Sequence, residues 1–307
     1  MTNWRGVLFV GLAVALWSTA EVVIRSIHAD IMPIQLAWVR FSIGAAMMLL
    51  LLPFDRPAPG TRGIDLRLVF HAAWMAVPGI VLNAICWQYA LKHAGAGVVA
   101  TGFGASPIIV FLLSRLILGE PLSIERGLGI TLGFIGLAIL GSSKESPYFT
   151  YQGLAFTILS VVSFSVFTVA IKRFLAGYAG LPLTALTFTF GALYLLPLAA
   201  FEVPHGLLHG LRDHWAAVLY LSLGTTGLAY LLYFKGLERI DATSASTIIL
   251  LKPPAAALIA WQWAGEPLTW NLAAAMVFII GGLYLVIYLG HRRQRAALQA
   301  LKEPRPT

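Results

Sequence analysis

The chain has 307 residues, of which 59% are hydrophobic and only 11% charged, and its mean hydropathy is +0.82. Soluble globular domains carry about 45–50% apolar and about 25% charged residues, so this composition excludes an ordinary soluble protein and predicts an integral membrane protein. The single cysteine, Cys86, excludes an intramolecular disulfide. The net charge of +8 does not identify a partner by itself, because its meaning depends on where the charges lie.

Ten apolar runs of transmembrane length follow one another along the chain. A spanning helix needs roughly 20 mostly apolar residues, because the hydrocarbon core is about 30 Å thick and each residue rises about 1.5 Å. The predicted spans are 4–27, 34–54, 68–91, 95–117, 124–141, 151–173, 182–201, 215–235, 242–263 and 269–290. Continuous runs such as Met47–Leu52 do not alternate as the strands of an outer-membrane barrel do. The sequence therefore predicts an all-α membrane protein with ten spans. The first span is expected to be a helix and not a signal peptide, since it is about twice the usual length.

The basic residues divide unequally between the two sides of the predicted spans. If the N-terminus is cytoplasmic, fifteen Lys and Arg fall on the cytoplasmic side and four on the other, while Arg40 and Lys252 lie inside spans. This positive-inside bias predicts that both termini are cytoplasmic. Membrane lipid head groups are the expected partners of the basic tail, residues 291–307, so no nucleic-acid partner is needed to explain the charge.

The two halves of the sequence are copies of one another. The segment Gly119-Glu-Pro-Leu recurs as Gly265-Glu-Pro-Leu, 146 positions later, and the same shift places Pro107 on Pro253. Since each copy holds five spans, the second copy enters the membrane from the opposite side. The sequence thus predicts a 5+5 inverted-topology repeat, with repeats at 1–147 and 148–290, as in secondary transporters whose site lies between the halves.

These repeated Gly-Glu-Pro segments and the 5+5 arrangement resemble the drug/metabolite transporter superfamily, EamA type. The resemblance is closest to bacterial exporters of aromatic and other bulky neutral amino acids. It implies a multi-pass protein of the bacterial inner membrane that exports amino acids by alternating access, without a cofactor. Proton-coupled efflux of cationic drugs or of another small metabolite is the alternative on the same fold. The coupling mode, resting conformation and oligomeric state stay open.

No sequence motif of an enzyme or an ATP-driven pump is present. The chain lacks His-Glu-x-x-His, Gly-x-Ser-x-Gly, a phosphate-binding loop and a Cys/His metal cluster. The sequence therefore favours a transporter over an enzyme.

The fourth and ninth predicted spans carry the most informative residues. Ser106 and Lys252 each lie about ten residues into their span, roughly 15 Å deep. The expected hinge residues beside them are Gly102, Gly104, Pro107, Pro253 and Pro254. A charge near the bilayer centre must face the protein interior or water. Three roles are open for Lys252: binding a substrate carboxylate, pairing with a buried Glu, or snorkelling toward an edge.

A substrate cavity with apolar walls and a few polar points is predicted between the halves. Its expected lining is Trp17, Asn83, Trp87, Phe103, Ser106, Ser163, Phe164, Tyr230, Thr247 and Lys252.

A second charged set lies nearer the outer side. Glu21, Arg25 and Arg40 are predicted to form an ion pair at a gate, with a proton site at Glu21 as the alternative. Glu120 of the repeated segment is interpreted as part of the fold and not of the site. The segment Gly129-Ile-Thr-Leu-Gly133 predicts a close helix crossing, either inside the bundle or between two copies.

Overall fold

A computed structural model of the chain is mainly helical in the residues it describes. These are 3–27, 30–55, 60–104, 106–120, 123–142, 150–175, 177–203, 206–264 and 270–289. Within these ranges no strand forms, and an isolated bridge joins Arg62 to Tyr178. The α-helices are α1 Trp4–Ile27, α2 Pro33–Leu51, α3 Leu66–Ala76, α4 Asn83–Phe103, α5 Ser106–Leu113, α6 Ile124–Ser142, α7 Tyr151–Phe174, α8 Gly180–Glu202, α9 Trp215–Leu219, α10 Ala229–Leu237, α11 Ala242–Ile248, α12 Lys252–Ala264 and α13 Trp270–Leu283. Four π-helical segments (Val77–Leu82, Ser114–Leu118, Tyr220–Leu228, Tyr284–Leu289) and two 3-10 segments (Leu52–Phe54, Ile249–Leu251) complete them.

Six helical stretches of the described chain are long and apolar enough to cross a membrane. They are Trp4–Ile24, Pro33–Phe54, Leu66–His93, Tyr151–Phe174, Gly180–Glu202 and Trp215–Leu237, and the apolar helices Ser106–Leu118 and Ala273–Val286 are shorter. Helices α1, α7 and α8 begin and end within about two residues of the boundaries predicted from hydropathy. The apolar length of each run sets these boundaries, since a spanning segment must satisfy its backbone polar groups internally.

The prolines predicted as hinge residues lie in the first turns of two helices. Helix α4 ends at Phe103, and α5 begins at Ser106 with Pro107 as its second residue. In the other half a 3-10 turn precedes α12, whose second and third residues are Pro253 and Pro254. Proline is tolerated in a first helical turn because the missing N–H has no partner there. The two halves are thus interrupted at corresponding positions, beside the cavity described below.

The predicted hinge glycines have different surroundings. A Cβ on Gly102 would lie 2.3 Å from Cγ2 of Thr157, so this glycine permits close packing of α4 on α7. Gly104 lies in the turn that directly follows α4. The structure thus shows close packing at Gly102, and a hinge at this residue stays a prediction.

Four helix pairs dominate the packing: α1 with α10, α2 with α8, α4 with α7, and α6 with α13. In the last pair, a Cβ on Gly129 would lie 2.6 Å from the carbonyl oxygen of Gly282, and one on Gly136 would lie 2.8 Å from that of Ala275. Gly129 and Gly133 both contact other residues of this chain. This is the helix crossing inside the bundle that the sequence offered as one of two alternatives.

Candidate substrate cavity

A cavity of about 60 Å³ lies where α1, α2, α4, α7, α10 and the start of α12 converge. It is lined by Trp17, Ala20, Ala37, Arg40, Phe41, Asn83, Ala84, Trp87, Gln88, Phe103, Phe164, Tyr230, Ile249 and Lys252. Seven of the ten residues predicted to line a cavity are among these.

Lys252 brings a cationic head into this largely aromatic cavity. It is the first residue of α12 and comes directly after the 3-10 turn Ile249–Leu251. The residue is 6% exposed, and its Nζ lies 5.6 Å from the ring centroid of Trp87 and 5.3 Å from that of Phe103. Both distances are within the range of cation–π attraction. These ring contacts hold the ammonium at the cavity and not at a membrane edge.

Arg40, which the sequence assigned to a gate, lies in the cavity wall. Its Nε donates a hydrogen bond to Oγ1 of Thr226 at 3.0 Å, and its Cζ lies 5.5 Å from the ring centroid of Trp87. The residue is 7% exposed. Its assumed gate partners, Glu21 and Arg25, have side chains outside the described part of the structure, so that ion pair stays a prediction.

An aromatic cluster forms one side of the cavity. Trp17 donates from Nε1 to the carbonyl oxygen of Thr225 at 3.0 Å, which fixes the indole relative to the segment before α10. Its ring meets Tyr230 edge-on at a centroid distance of 5.0 Å and Phe164 at 6.1 Å. Such edge-to-face pairs stabilise one arrangement beyond area burial alone, so these rings form a defined wall for an apolar group.

Two amide side chains supply neutral polar points. Asn83 donates from Nδ2 to the carbonyl oxygen of Ser160 at 2.9 Å and to its Oγ at 3.1 Å. Gln88 donates from Nε2 to the carbonyl oxygen of Pro33 at 3.2 Å. Because their NH₂ groups are engaged with the protein, the carbonyl oxygens of both side chains are the groups suited to accept from a ligand.

Three predicted lining residues do not lie on the cavity. Ser106 and Thr247 are fully buried, and Ser163 is 3% exposed. The Thr247 hydroxyl donates to the carbonyl oxygen of Thr243 at 2.7 Å, one turn back on its own helix. Short hydroxyl side chains often bond to their own backbone in this way, so a polar residue at the correct depth need not face a cavity.

The lining residues that the sequence reasoning missed follow a helical spacing. Ala37, Arg40 and Phe41 are spaced i, i+3, i+4 on α2, and Ala84, Trp87 and Gln88 have the same spacing on α4. Residues at this spacing share a helix face. Extending the face of Trp87 back by one turn would have found Ala84, and Gln88 lies one turn beyond Ala84.

The two ends of the molecule differ, because one holds a large cavity and the other a buried cluster of charges. The cavity at the first end, of about 1320 Å³, is lined by Asp30, Ile31, Met32, Pro33, Gln35, Lys92, Val203, Leu208, His209, Gly210, Arg212, Asp213 and His214. We call this cavity the vestibule. At the other end, Arg126 lies 3.5 Å from Glu120 and 3.3 Å from Asp241, and its side chain is 2% exposed. We call these three residues the Glu120 cluster.

The Glu120 carboxylate joins the two halves of the chain. It accepts from the backbone N–H of Ala242 at 2.8 Å and from the hydroxyl of Thr243 at 2.7 Å. These donors lie in the first turn of α11, where free N–H groups and the helix dipole favour an acidic group. Burial, and next the neighbouring Asp241, raise the pKa of the Glu120 carboxyl above its usual value.

Such a bundle of apolar helices around a buried, partly polar cavity defines a multi-pass membrane protein. The profile of the EamA-like transporter family matches residues 4–142 and again residues 151–288. The chain belongs to this family, within the drug/metabolite transporter superfamily, and is a transporter.

Curated relatives match most of the chain. An uncharacterized transporter of Archaeoglobus fulgidus is 24% identical over 94% of this chain and 99% of its own, and the uncharacterized transporter YyaM of Bacillus subtilis is 27% identical over 80% and 82%. A probable terminal-alkyne amino-acid exporter of Streptantibioticus cattleyicolor is 24% identical over 70% of each chain. A crystallised protein has the same fold, with a TM-score of 0.76, 21% identity, and coverage of 94% of this chain and 98% of its own.

Proposed function

We propose that this transporter exports amino acids, with aromatic and other bulky neutral ones favoured, across the bacterial inner membrane. The observation that carries the proposal is the buried ammonium of Lys252, placed between the rings of Trp87 and Phe103 in a largely aromatic cavity. A buried cation suits the substrate carboxylate, and the rings suit an apolar side chain. The relative named as a probable amino-acid exporter supports the same class of substrate.

The proposed architecture is ten spans in a 5+5 inverted repeat with both termini cytoplasmic. Two matches of one family profile to successive halves support the repeat. The 146-residue shift relates α2 to α8 and α6 to α13, and both pairs run antiparallel. In the first pair, the Glu202 carboxylate at the end of α8 accepts from the N–H of Ile34 at the start of α2. In the second, Gly129 and Gly136 meet Gly282 and Ala275 in reverse order. Antiparallel equivalents are what an inverted repeat requires.

Transport in this proposal proceeds by alternating access around the cavity. Buried aromatic residues, among them Phe167, Tyr233 and Phe234, and the Glu120 cluster fill the end that the positive-inside bias assigns to the cytoplasm. Gln88 of the cavity and Lys92 of the vestibule are one turn apart on α4, which supports an exit route between the two. In this proposal the surrounding helices move so that the cavity opens to one side of the membrane at a time.

Counterflow in proteoliposomes tests the function. Vesicles preloaded with unlabelled amino acids take up labelled tryptophan, threonine or lysine without a pH gradient, and we expect protein-dependent uptake strongest for tryptophan. Lys252→Met should reduce this uptake more than tenfold, because a charge-assisted hydrogen bond is worth about 1.5–3 kcal/mol. Lys235→Met, in the last turn of α10 and away from the cavity, is the matched control and should transport normally.

Two outcomes would contradict the proposal. Undiminished tryptophan transport by Lys252→Met would remove the site assignment. If none of the amino acids enters, the alternative of proton-coupled efflux is tested with a cationic dye and an imposed proton gradient.

A further inference from the structure

Three side chains in the described lining of the cavity carry a hydrogen-bond acceptor. They are Asn83, Gln88 and Tyr230, and each is more than nine-tenths buried. The other described side chains of the lining are apolar or carry donors, as Arg40 and Lys252 do. A donor that enters an apolar place without a partner loses its bonds to water at a cost in free energy. These three side chains are therefore the places where the N–H groups of a ligand can be satisfied.

The surroundings of Asn83 fix the orientation of its amide. Its Nδ2 lies 2.9 Å from the carbonyl oxygen of Ser160, an atom that can only accept, so the NH₂ group and not the oxygen points at Ser160. Among the described residues, none donates a hydrogen bond to Oδ1 of Asn83, and Oδ1 is not one of the fully buried atoms. This oxygen is thus open to the cavity that Asn83 lines.

Asn83 lies close to the group that the proposed function assigns to the substrate carboxylate. It is the first residue of α4 and directly follows the π-helical segment Val77–Leu82, a kind of segment that is frequent at functional sites. Trp87 lies one turn further along the same face of α4, and the ammonium of Lys252 is 5.6 Å from its ring centroid. The carboxylate and the ammonium of an α-amino acid are bonded to one carbon, so a cation and an acceptor on neighbouring turns suit both.

We infer that Asn83 binds the α-ammonium of the substrate through its side-chain oxygen, and so makes the transporter select amino acids over carboxylates of the same shape that lack the amino group. The hydroxyl of Tyr230 and the side-chain oxygen of Gln88 are further acceptors in the same wall. A neutral amide suits this role, because a hydrogen bond to a charged donor is strong without a second charge. The inference rests on the proposed function, since it takes the cavity as the transport site.

Three ligands that differ only in one group on the α-carbon test the inference. Phenylalanine carries an ammonium there, 3-phenyllactate a hydroxyl, and 3-phenylpropanoate a hydrogen. Each competes with labelled tryptophan in counterflow. Each is also added to the purified full-length protein in detergent while its melting temperature is followed, a readout that needs no transport.

We expect phenylalanine to compete about tenfold better than 3-phenylpropanoate, with 3-phenyllactate between them, because a hydrogen bond from a charged donor is stronger than one from a neutral donor. Asn83→Leu has nearly the same size and no acceptor, so it should reduce the ratio of phenylalanine to 3-phenylpropanoate to about twofold. Ser160→Ala is the control: it removes the hydroxyl that accepts from Nδ2 of Asn83 but keeps the carbonyl bond and Oδ1, and should retain the ratio. A merely structural role for Asn83 would weaken all three ligands by the same factor.

The inference is overturned if 3-phenylpropanoate competes as well as phenylalanine in the wild type, or if Asn83→Leu lowers all three ligands equally. The first comparison needs no variant, so it decides the inference even where Asn83→Leu does not fold. Failure of the proposed function is a separate result, namely no protein-dependent uptake of any amino acid. In that case the order of ligand-induced melting shifts still decides the inference, because phenylalanine must stabilise the wild type more than 3-phenylpropanoate does.

Discussion

Replacing Arg126 by Gln removes the cation that holds two carboxylates at the closed end of the molecule. Arg126 is 2% exposed and lies 3.5 Å from Glu120 and 3.3 Å from Asp241. Without it, two acidic groups from different halves of the chain face each other in a buried place. We therefore expect Arg126→Gln to destabilise the folded protein strongly.

The magnitude follows from burial. Breaking a buried ion pair by removing one partner costs about 3–5 kcal/mol, because the remaining charge is left without compensation. The exposed pair of Arg239 with Glu238 has the same 3.3 Å distance but side chains that are 36% and 33% exposed. Such surface pairs contribute about 0–1 kcal/mol. Arg239→Gln is thus a control of equal chemistry and different burial.

The assay is unfolding of the purified protein in mixed micelles with increasing sodium dodecyl sulfate, followed by circular dichroism. The free energy of unfolding should fall by about 3–5 kcal/mol for Arg126→Gln and by less than about 1 kcal/mol for Arg239→Gln. Adding Glu120→Gln to Arg126→Gln should recover part of the loss, because it removes one of the two facing charges. Equal small losses for the two arginine variants would refute the reasoning.

Three further predictions concern packing, pH and the aromatic wall. Gly282→Ala should cost about 1–3 kcal/mol in the same assay, because its Cβ would lie 2.4 Å from the Gly129 oxygen; Gly281→Ala, with nothing within 4 Å, should be neutral or stabilising. Since burial and then Asp241 raise the pKa of Glu120, the folded state retains its proton to higher pH than the unfolded state. As pH rises through that raised pKa, the melting temperature of the wild type should therefore fall relative to that of Glu120→Gln. A wild-type melting temperature that rises relative to the variant between pH 5 and 8 would contradict this. Trp17→Phe removes the indole hydrogen bond to the Thr225 carbonyl and should cost about 0.5–1.5 kcal/mol of unfolding free energy, a loss that an unchanged unfolding midpoint would disprove.

The site was partly predictable from the sequence. Depth along an apolar run identified Lys252, since a charge at that depth has few tolerable surroundings. Rings such as Trp17 and Phe164 were predicted because they are equivalent in the two halves, and both line the cavity. Ser106 and Thr247 have comparable depth, but both are fully buried and neither lines the cavity. Depth alone does not predict a lining residue, because a helix presents only part of its circumference to any one neighbour.

The contacts of Arg40 with Thr226 and Trp87 could not be predicted from nearness in the sequence. Its place in α2 suggested the neighbouring charges of α1 as partners. The structure joins it to Thr226, 186 positions away, and to the ring of Trp87, while the side chains of those α1 charges lie outside the described residues. Partners on separate helices depend on the rotation of each helix about its axis, which packing determines.

The sequence by itself determined that this chain is a helical membrane protein with repeated halves. Hydropathy is a property of each segment, and a spanning segment must satisfy its own backbone, so composition and length suffice. Only the tertiary structure decided that Arg40 joins Lys252 at one ring, that Glu120 caps α11, and that Gly129 meets Gly282. These contacts connect residues far apart in the chain, and the physical reason is that close packing of whole helices selects which faces meet.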